Sequence, residues 1–481
     1  MKFIFPSAVQ KILNKMSENG FACYLVGGCV RDLLMLQTPF DYDFVTDRRP
    51  GEIISAAEEA GWKVWTQGSS WGVINLIVDG SSFEVATMRS ESYGADPHRP
   101  EKVAFLNDIF SDLSRRDFTI NAMAMDASGE IIDPFGGWED LERKVVRCVG
   151  KPRERFLEDP LRLLRAARFI ARTGFDIHHD IVSAIKDKEV HKRFKVLSVE
   201  RVRDELEKIL VSQMPSLGLE MLVKTGALEM PCTLKAEGEK IEVPFLPEIS
   251  SLYGIKQNPR YHCYDVLEHT FQTVNAVSPS KILRWAALLH DIAKGAEGVR
   301  CYNSKGEVAD YGHAKRGEVV ARNILQRLKT EGTVFQRVPW LVKHHMDLNF
   351  IDENSAIRWA KKCARDFPDR QHFMEAVHQL IQLSYADDKA RGMHDKNDSF
   401  LMEMNVILEK VLEKMVLYPE ELKISGAFIA EKMGQGPQVG KVLQDLLVDV
   451  QVGRLQNSPQ DLQDAVLKKL WRKSRKIERT L

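Results

Sequence analysis

The chain of 481 residues contains no apolar run approaching the roughly 18 residues that a membrane-crossing helix requires. That lack excludes a helical membrane protein. The opening Met1-Lys2-Phe3-Ile4-Phe5 is cut off by Pro6, too early for a secretion signal, so a cytoplasmic location is expected. Cysteine is sparse as well, with seven residues (23, 29, 148, 232, 263, 301 and 363) and no Cys-x-x-Cys. An odd, scattered set suggests neither a disulfide framework nor a thiolate zinc site, and reduced thiols follow. Net charge is missing too, since 68 Lys and Arg face 68 Asp and Glu, which argues against a protein that coats nucleic acid indiscriminately. Internal repeats and low-complexity tracts are absent.

What is present is an ordinary globular composition, 44% hydrophobic, in a chain long enough for three or four cores. Charge is concentrated locally: six basic residues from Arg143 to Arg155, four arginines from Arg162 to Arg172, and seven basic residues from Lys468 to Arg479. A neutral protein with basic stretches suits binding of one shaped polyanion; a solvated helix face is the competing account of each run.

The most informative stretch is Gly27-Gly28-Cys29-Val30-Arg31-Asp32-Leu33-Leu34, followed by Asp41-Tyr42-Asp43. Tyr24-Leu25-Val26 reads as a buried strand, the glycines permit a tight turn with close backbone approach, and Val30 to Leu36 reads as a helix. A triphosphate can sit at that helix start, near Gly28, where N–H groups and the helix dipole favour anions and Arg31 can donate to two phosphate oxygens. Asp41 and Asp43, if on a strand, project from one face and can both ligate Mg²⁺, the requirement of two-metal nucleotidyl transfer. Glu84 is a weaker candidate for a supporting carboxylate.

Asp159 and Arg162, three residues apart on a helix, share a face. A carboxylate accepts from an exocyclic amine while a guanidinium donates to a ring nitrogen, the pattern that cytosine and adenine both complement. The alternative is that Asp159 only caps a helix whose first residue is Pro160.

The order and spacing of the first two motifs resemble the head domain of the tRNA nucleotidyltransferase and bacterial poly(A) polymerase family, a branch of the polymerase-β-like nucleotidyltransferases. Ser111-Asp112-Leu113-Ser114-Arg115-Arg116-Asp117-Phe118-Thr119-Ile120-Asn121-Ala122-Met123-Ala124 looks like its second motif, and Asp133-Pro134-Phe135-Gly136-Gly137 like its third. Glu158-Asp159-Pro160-Leu161-Arg162 through Arg165 and Arg168 is similar to its nucleotide-reading motif, and Ser198-Val199-Glu200-Arg201 to its fifth. The resemblance implies that Asp41 and Asp43 are catalytic with Mg²⁺, that Arg115, Arg116 and Asp117 bind triphosphate and ribose with Asn121 near them, and that Arg165 and Arg168 continue the arginine face. It also implies that the 3′ hydroxyl of tRNA attacks the α-phosphate of CTP or ATP. The segment Arg89 to Pro100, poor in core-forming residues, reads as a surface loop. In the family a loop here assists adenosine addition, and this one does not look shortened.

A second constellation comprises His262, His269, His290-Asp291, His313, His344-His345 and Asp387. Separated His and Asp positions on helical segments suit a bundle that gathers imidazole and carboxylate onto a divalent ion. The strings around His269 and Leu288-Leu289-His290-Asp291-Ile292-Ala293-Lys294 resemble the HD phosphohydrolase superfamily. By that resemblance His269, His290, Asp291 and Asp387 are the core ligands of Mg²⁺, Mn²⁺ or Ni²⁺. His313 and one of His344 or His345, taken as His344, complete a second site, and Lys294 lies near a bound phosphate. A phosphate or 2′,3′-cyclic phosphate at a damaged RNA end is the expected substrate.

The expected fold is α+β: a polymerase-β-like nucleotidyltransferase head with a mixed sheet and helices (1–140), then an all-α neck (141–250), an HD domain (251–395) and a helical tail (396–481) that binds tRNA or serves only as a packing unit. Residues 211–250 carry no assigned role. CCA addition leads; A-only addition, poly(A) synthesis, and an HD phosphohydrolase with an RNA-binding head are the alternatives. Oligomeric state is left open.

Overall fold

The protein is described here by a computed structural model that covers residues 3–93, 100–236, 238–392 and 398–478. Two compact units divide it, one of residues 1–255, 265–285 and 322–335, the other of 256–264, 286–321 and 336–481. No helix among the described residues is long and apolar enough to cross a membrane.

In the first unit, seven strands form a mixed sheet: β1 (Cys23–Val26), β2 (Asp43–Thr46), β3 (Lys63–Trp65), β4 (Val73–Val78), β5 (Ser81–Thr87), and the short β8 (Ala124–Met125) and β9 (Ile131–Ile132). Their order is β3-β4-β5-β2-β1-β8-β9, with β2 and β5 parallel and the other pairs antiparallel. Because side chains alternate along a strand, the register sorts residues by face. Leu25, Phe44, Val85 and Ile74 are paired across β1, β2, β5 and β4 and are fully buried or nearly so. This face is left for α1 (Ser7–Glu18) and α3 (Pro50–Glu59), whose Val9, Ile12, Leu13, Met16, Ile53 and Ala57 are buried and which touch β1, β3 and β4. The opposite face carries Val26, Asp43, Glu84 and Asn75 in one row. At one end it is sealed by a small core of Val26, Val45, Met88, Leu113, Ala122, Ala124 and Val149. The rest of that row remains open to ligands.

Between β1 and β2 runs α2 (Gly28–Leu34), and α4 (Ile109–Ser114) and α5 (Gly137–Glu142) flank the later strands. Arg89 to Pro100, expected to be a loop, has strands at its ends. β6 (Arg89–Tyr93) pairs antiparallel with β7 (Pro100–Phe105), and the tip, residues 94–99, lies outside the described residues. Ladder bonds come from backbone groups, so a hairpin forms there without an apolar run to announce it.

The neck begins with α6 (Pro152–Glu158) and α7 (Leu161–Thr173), separated by extended Asp159 and by Pro160, which has no N–H to continue the helix. Leu163, Leu164, Ala166, Ala167 and Ala171 are buried, a helical stripe that packs α7 on the helices Val199–Leu210 and Pro215–Lys224. The expected purely helical neck is interrupted. Val145–Val146 pairs with Asp176–Ile177, and Pro231–Ala236 forms a hairpin with Glu239–Pro244 inside the stretch that had no assigned role.

The second unit is mainly helical, with a short hairpin of Arg300–Tyr302 and Val308–Asp310. Trp340, Phe367 and Phe373 pack edge to face and tilted in its interior. Its last helices close on their own core of Leu422, Ile429, Val442, Leu446, Leu447, Leu462 and Val466.

Candidate nucleotide and metal sites

A cleft of about 1200 Å³ opens over the polar row of the sheet. Asp43, the first residue of β2, stands in register with Glu84 of β5, and paired residues on neighbouring strands point to the same side. Asp41 lies just before the strand rather than in it, and it lines the same cleft. Burial, then the charges of Asp41 and Glu84, push the Asp43 carboxyl up to about 6, with Arg116 opposing them. Three carboxylates are thus gathered on one cleft wall against their own repulsion, and carboxylate oxygens are the ligand type that a hard divalent cation takes.

The glycine turn is shaped for close approach. Gly27 has φ +76°, and a Cβ there would meet Arg116 Nη1 at 2.9 Å. Arg116 therefore lies against the turn, with its Nη2 3.2 Å from Asp112 Oδ2; Arg115 pairs with the other oxygen of that fully buried carboxylate at 2.7 Å. Arg31, expected to fork onto phosphate oxygens, is 2% exposed and committed within the wall. Its Nε and Nη2 donate to Asp32 at 2.9 and 2.7 Å and its Nη1 to Asn121 at 2.6 Å. The reason is that Asp32, itself buried, takes the guanidinium first.

The neck supplies the far wall. Asp159 Oδ1 accepts from Leu161 N–H at 3.0 Å, so it does cap α7, and it also lines the cleft beside Arg162. Burial raises its pKa. Arg162 donates to Glu158 Oε2 at 3.3 Å and to the Arg115 carbonyl at 3.2 Å, while Arg155 donates to Glu158 at 2.7 Å and to the carbonyls of Ser114 and Arg116. These bonds tie α6 and α7 to the segment that holds Arg116. Arg165 grips Asp117 Oδ2 through Nε at 2.8 Å and Nη2 at 2.5 Å. Burial alone would raise the Asp117 pKa, but Arg165 and Asn121 outweigh it and hold the carboxyl below its usual value.

Arg168 is displaced from the arginine face expected of it: it pairs with Glu205 at 3.3 Å and is not among the residues lining the cleft. Each three-residue step falls about 60° short of a full turn, so two steps leave Arg168 about 120° around the helix from Arg162, on the side where Glu205 receives it. Arg89, Arg172 and Arg201 line the cleft instead. In the sequence Arg172 is only the last of a run of four arginines and Arg89 only opens a segment poor in core-forming residues, so neither position by itself points to the cleft.

In the second unit, His290, Asp291, His313, His345 and Asp387 converge. Asp291 lies 3.2 Å from His290 Nε2, 3.3 Å from His313 Nε2 and 3.7 Å from His345 Nε2; His290 Nε2 is 3.8 Å from Asp387. Each imidazole bonds a backbone carbonyl through Nδ1, His290 to Ala287 at 2.8 Å, His313 to Asp310 at 2.7 Å and His345 to Val342 at 2.6 Å. A carbonyl only accepts, so Nδ1 carries a proton and each ring turns its Nε2 inward, the orientation that metal-ligating histidines adopt; the neighbouring Asp291 carboxylate raises the His290 pKa against the effect of burial. Burial lowers the His345 pKa and favours its neutral form. Lys294 Nζ sits 2.6 Å from Asp291 and donates to Gln257 at 2.8 Å. His344, taken above as the second-site ligand, is corrected to His345. His344 turns to Asp347 at 2.7 Å and stacks on Trp340, since adjacent helical residues point about 100° apart. His269 is fully buried on the helix Val266–Ala276 of the first unit.

Comparison with known proteins bears on both sites. Residues 23–147 match the poly A polymerase head domain, 174–231 the probable RNA and SrmB-binding site of polymerase A, and 260–384 the HD domain. The CCA-adding enzyme of Bacillus pumilus is 42% identical over 219 residues, 45% of this chain and 53% of that protein. That of Lactobacillus delbrueckii subsp. bulgaricus is 38% identical over 240 residues, 50% of this chain and 59% of the relative. The chain thus spans little more than half the length of the curated relatives it matches. The crystal structure of the Bacillus stearothermophilus CCA-adding enzyme in complex with CTP has the same fold, with TM-score 0.68 at 23% identity, over 98% of this chain and all of that one. A Thermotoga maritima CCA-adding enzyme complexed with tRNA aligns at TM-score 0.54 and 19% identity, over 97% of this chain and 96% of that one. The chain carries a poly A polymerase head domain and an HD domain, and over about half of its length it is similar to CCA-adding enzymes.

Proposed function

We propose that the protein is a tRNA nucleotidyltransferase that adds C, C and A to the tRNA 3′ end from CTP and ATP. The observation that carries this reading is the meeting, in one cleft, of the Asp41, Asp43 and Glu84 carboxylates with Asp159 and Arg162 on the opposing helix. The relatives named for CCA addition, and those solved with CTP and tRNA, support it.

In this reading Asp41 and Asp43 hold Mg²⁺, which supplies charge neutralisation at the reacting phosphate. The 3′ oxygen forms a bond to the α-phosphorus as the bond to pyrophosphate breaks. Arg116, leaning on the glycine turn, and the cleft arginines offset the charge on the triphosphate. Asp159 accepts from the exocyclic amine of C or A and Arg162 donates to the ring nitrogen, while Glu158 holds the Arg162 fork in place. Uracil and guanine present the reversed pattern and are refused. The protein serves as its own template.

Extension of a tRNA lacking CCA, with CTP alone, ATP alone and both, tests the reading. Two additions with CTP and a third only when ATP is present are expected. ATP-only addition to a tRNA ending in CC, or an unlimited A tail, would replace it with the A-adding or poly(A) reading.

A second activity is proposed for the His290, Asp291, His313, His345 and Asp387 cluster, on the strength of the HD match. The set fits a divalent metal, because three imidazole Nε2 atoms and a carboxylate face one another and a cation would take the place of the protons between them. Hydrolysis of a phosphate or 2′,3′-cyclic phosphate from an RNA end would restore the hydroxyl that the head extends. Release of phosphate from such ends with Mn²⁺, Ni²⁺ or Mg²⁺ is the expected result.

A further inference from the structure

Two aromatic side chains that line the head cleft remain in water. Phe40 is 98% exposed and Trp71 41% exposed, although both belong to a wall shared with Asp41, Asp43 and Glu84. The backbone beside each is anchored. Pro39 is buried immediately before Phe40, and Trp71 ends a short turn whose carbonyl accepts from Arg89 Nη1. Leaving a whole phenyl ring in water forgoes the hydrophobic gain of burying it, so a ring carried on the cleft wall one residue from a candidate metal carboxylate is available to be covered by a ligand.

The chemistry of stepwise addition identifies that ligand. The incoming base has edge-reading groups in Asp159 and Arg162. The base at the end of the growing RNA changes from one round to the next, and side chains that hydrogen-bond its edge would favour one round over the others. A π-face is common to all bases, and stacking on it tolerates any of them. We propose that Phe40, assisted by Trp71, is a stacking platform for the terminal base of the RNA acceptor, positioning its 3′ hydroxyl beside Asp41 and Asp43. The proposal rests on the nucleotidyl-transfer reading of the head.

The test uses the full chain. Phe40→Ala should raise KM for a tRNA lacking CCA about tenfold, the loss expected for one base stack, with the affinity for CTP measured without RNA unchanged. Phe40→Trp should restore the wild-type KM. An RNA ending in 2-aminopurine should be quenched on binding to wild type and markedly less by Phe40→Ala and Trp71→Leu. Because Phe40 is exposed, its removal should leave the melting temperature where it was. An unchanged tRNA KM, equal quenching by Phe40→Ala, or a parallel loss of CTP affinity would overturn the platform. Should wild type quench the probe through Phe40 yet incorporate no nucleotide, the platform stands as an RNA contact and the nucleotidyl-transfer reading fails.

Discussion

At position 43 a carboxylate is held where its charge is unwelcome. Its pKa of about 6 lies above the ordinary 3.8, so in metal-free protein the folded state binds the proton more tightly than the unfolded state. Stability from this group is therefore greatest below 3.8 and declines as pH rises through 6. Asp43→Asn removes the strain, and EDTA-treated variant protein should be more stable than wild type at pH 7 by roughly 1–2 kcal/mol, after allowance for solvent screening. Nucleotide incorporation should be abolished. A chemical-denaturation curve and an incorporation assay on the same sample check both halves. Mg²⁺ binding should also weaken in wild type as pH falls below about 6, which isothermal titration at pH 5 and 7.5 can read. Asp159 caps α7 and, in the proposed function, also reads the base. Asp159→Ala should scramble nucleotide choice and cost about 1 kcal/mol of stability through the lost cap; competition between CTP and UTP measures the first effect, and unchanged selectivity would leave only the cap.

Among the elements, the turn between β1 and α2 and the helix α7 decide whether the cleft has its shape. Gly27→Ala places a methyl group 2.9 Å from Arg116 Nη1 in a backbone conformation that alanine resists, at a cost of about 1–2 kcal/mol. Weaker CTP binding should accompany the lower melting temperature, because Arg116 must move. The Asp117–Arg165 pair sets an acid limit. The Asp117 pKa is depressed in the folded state, so its contribution is present above the ordinary carboxylate value and is lost as pH falls through the folded one. In Arg165→Met that partner is removed, and unfolding should begin at higher pH in an acid titration followed by circular dichroism.

For the whole molecule, the two sites lie in separately packed surroundings and should fail separately. Asp41→Ala should eliminate nucleotide addition and spare phosphoester hydrolysis, and His345→Ala should do the reverse. His344→Ala should leave hydrolysis far less affected than His345→Ala, since its ring faces Asp347 rather than Asp291. Equal loss in the two histidine variants would contradict the geometry of the cluster.

The sequence by itself determined the local elements and the inventory of chemistry. The Gly-Gly turn, the helix after it, the acidic pair and a helix beginning near Pro160 follow from backbone preferences and short periodicities, which act within a few residues, although Asp159, read as part of that helix, is extended just before it. Tertiary structure decided the rest. That Glu84 stands beside Asp43 depends on the parallel pairing of β2 with β5, a register between strands far apart in the chain. Arg31 was legible as a cation but not as one bound by Asp32 and Asn121, and Arg172 became a cleft residue only when α7 was laid against the head. The choice of His345 over His344 hung on the rotational setting of one helix end. Such outcomes are fixed by burial and pairing between distant segments, where each side chain's partner is settled by the packing of the whole unit and not by its neighbours in sequence.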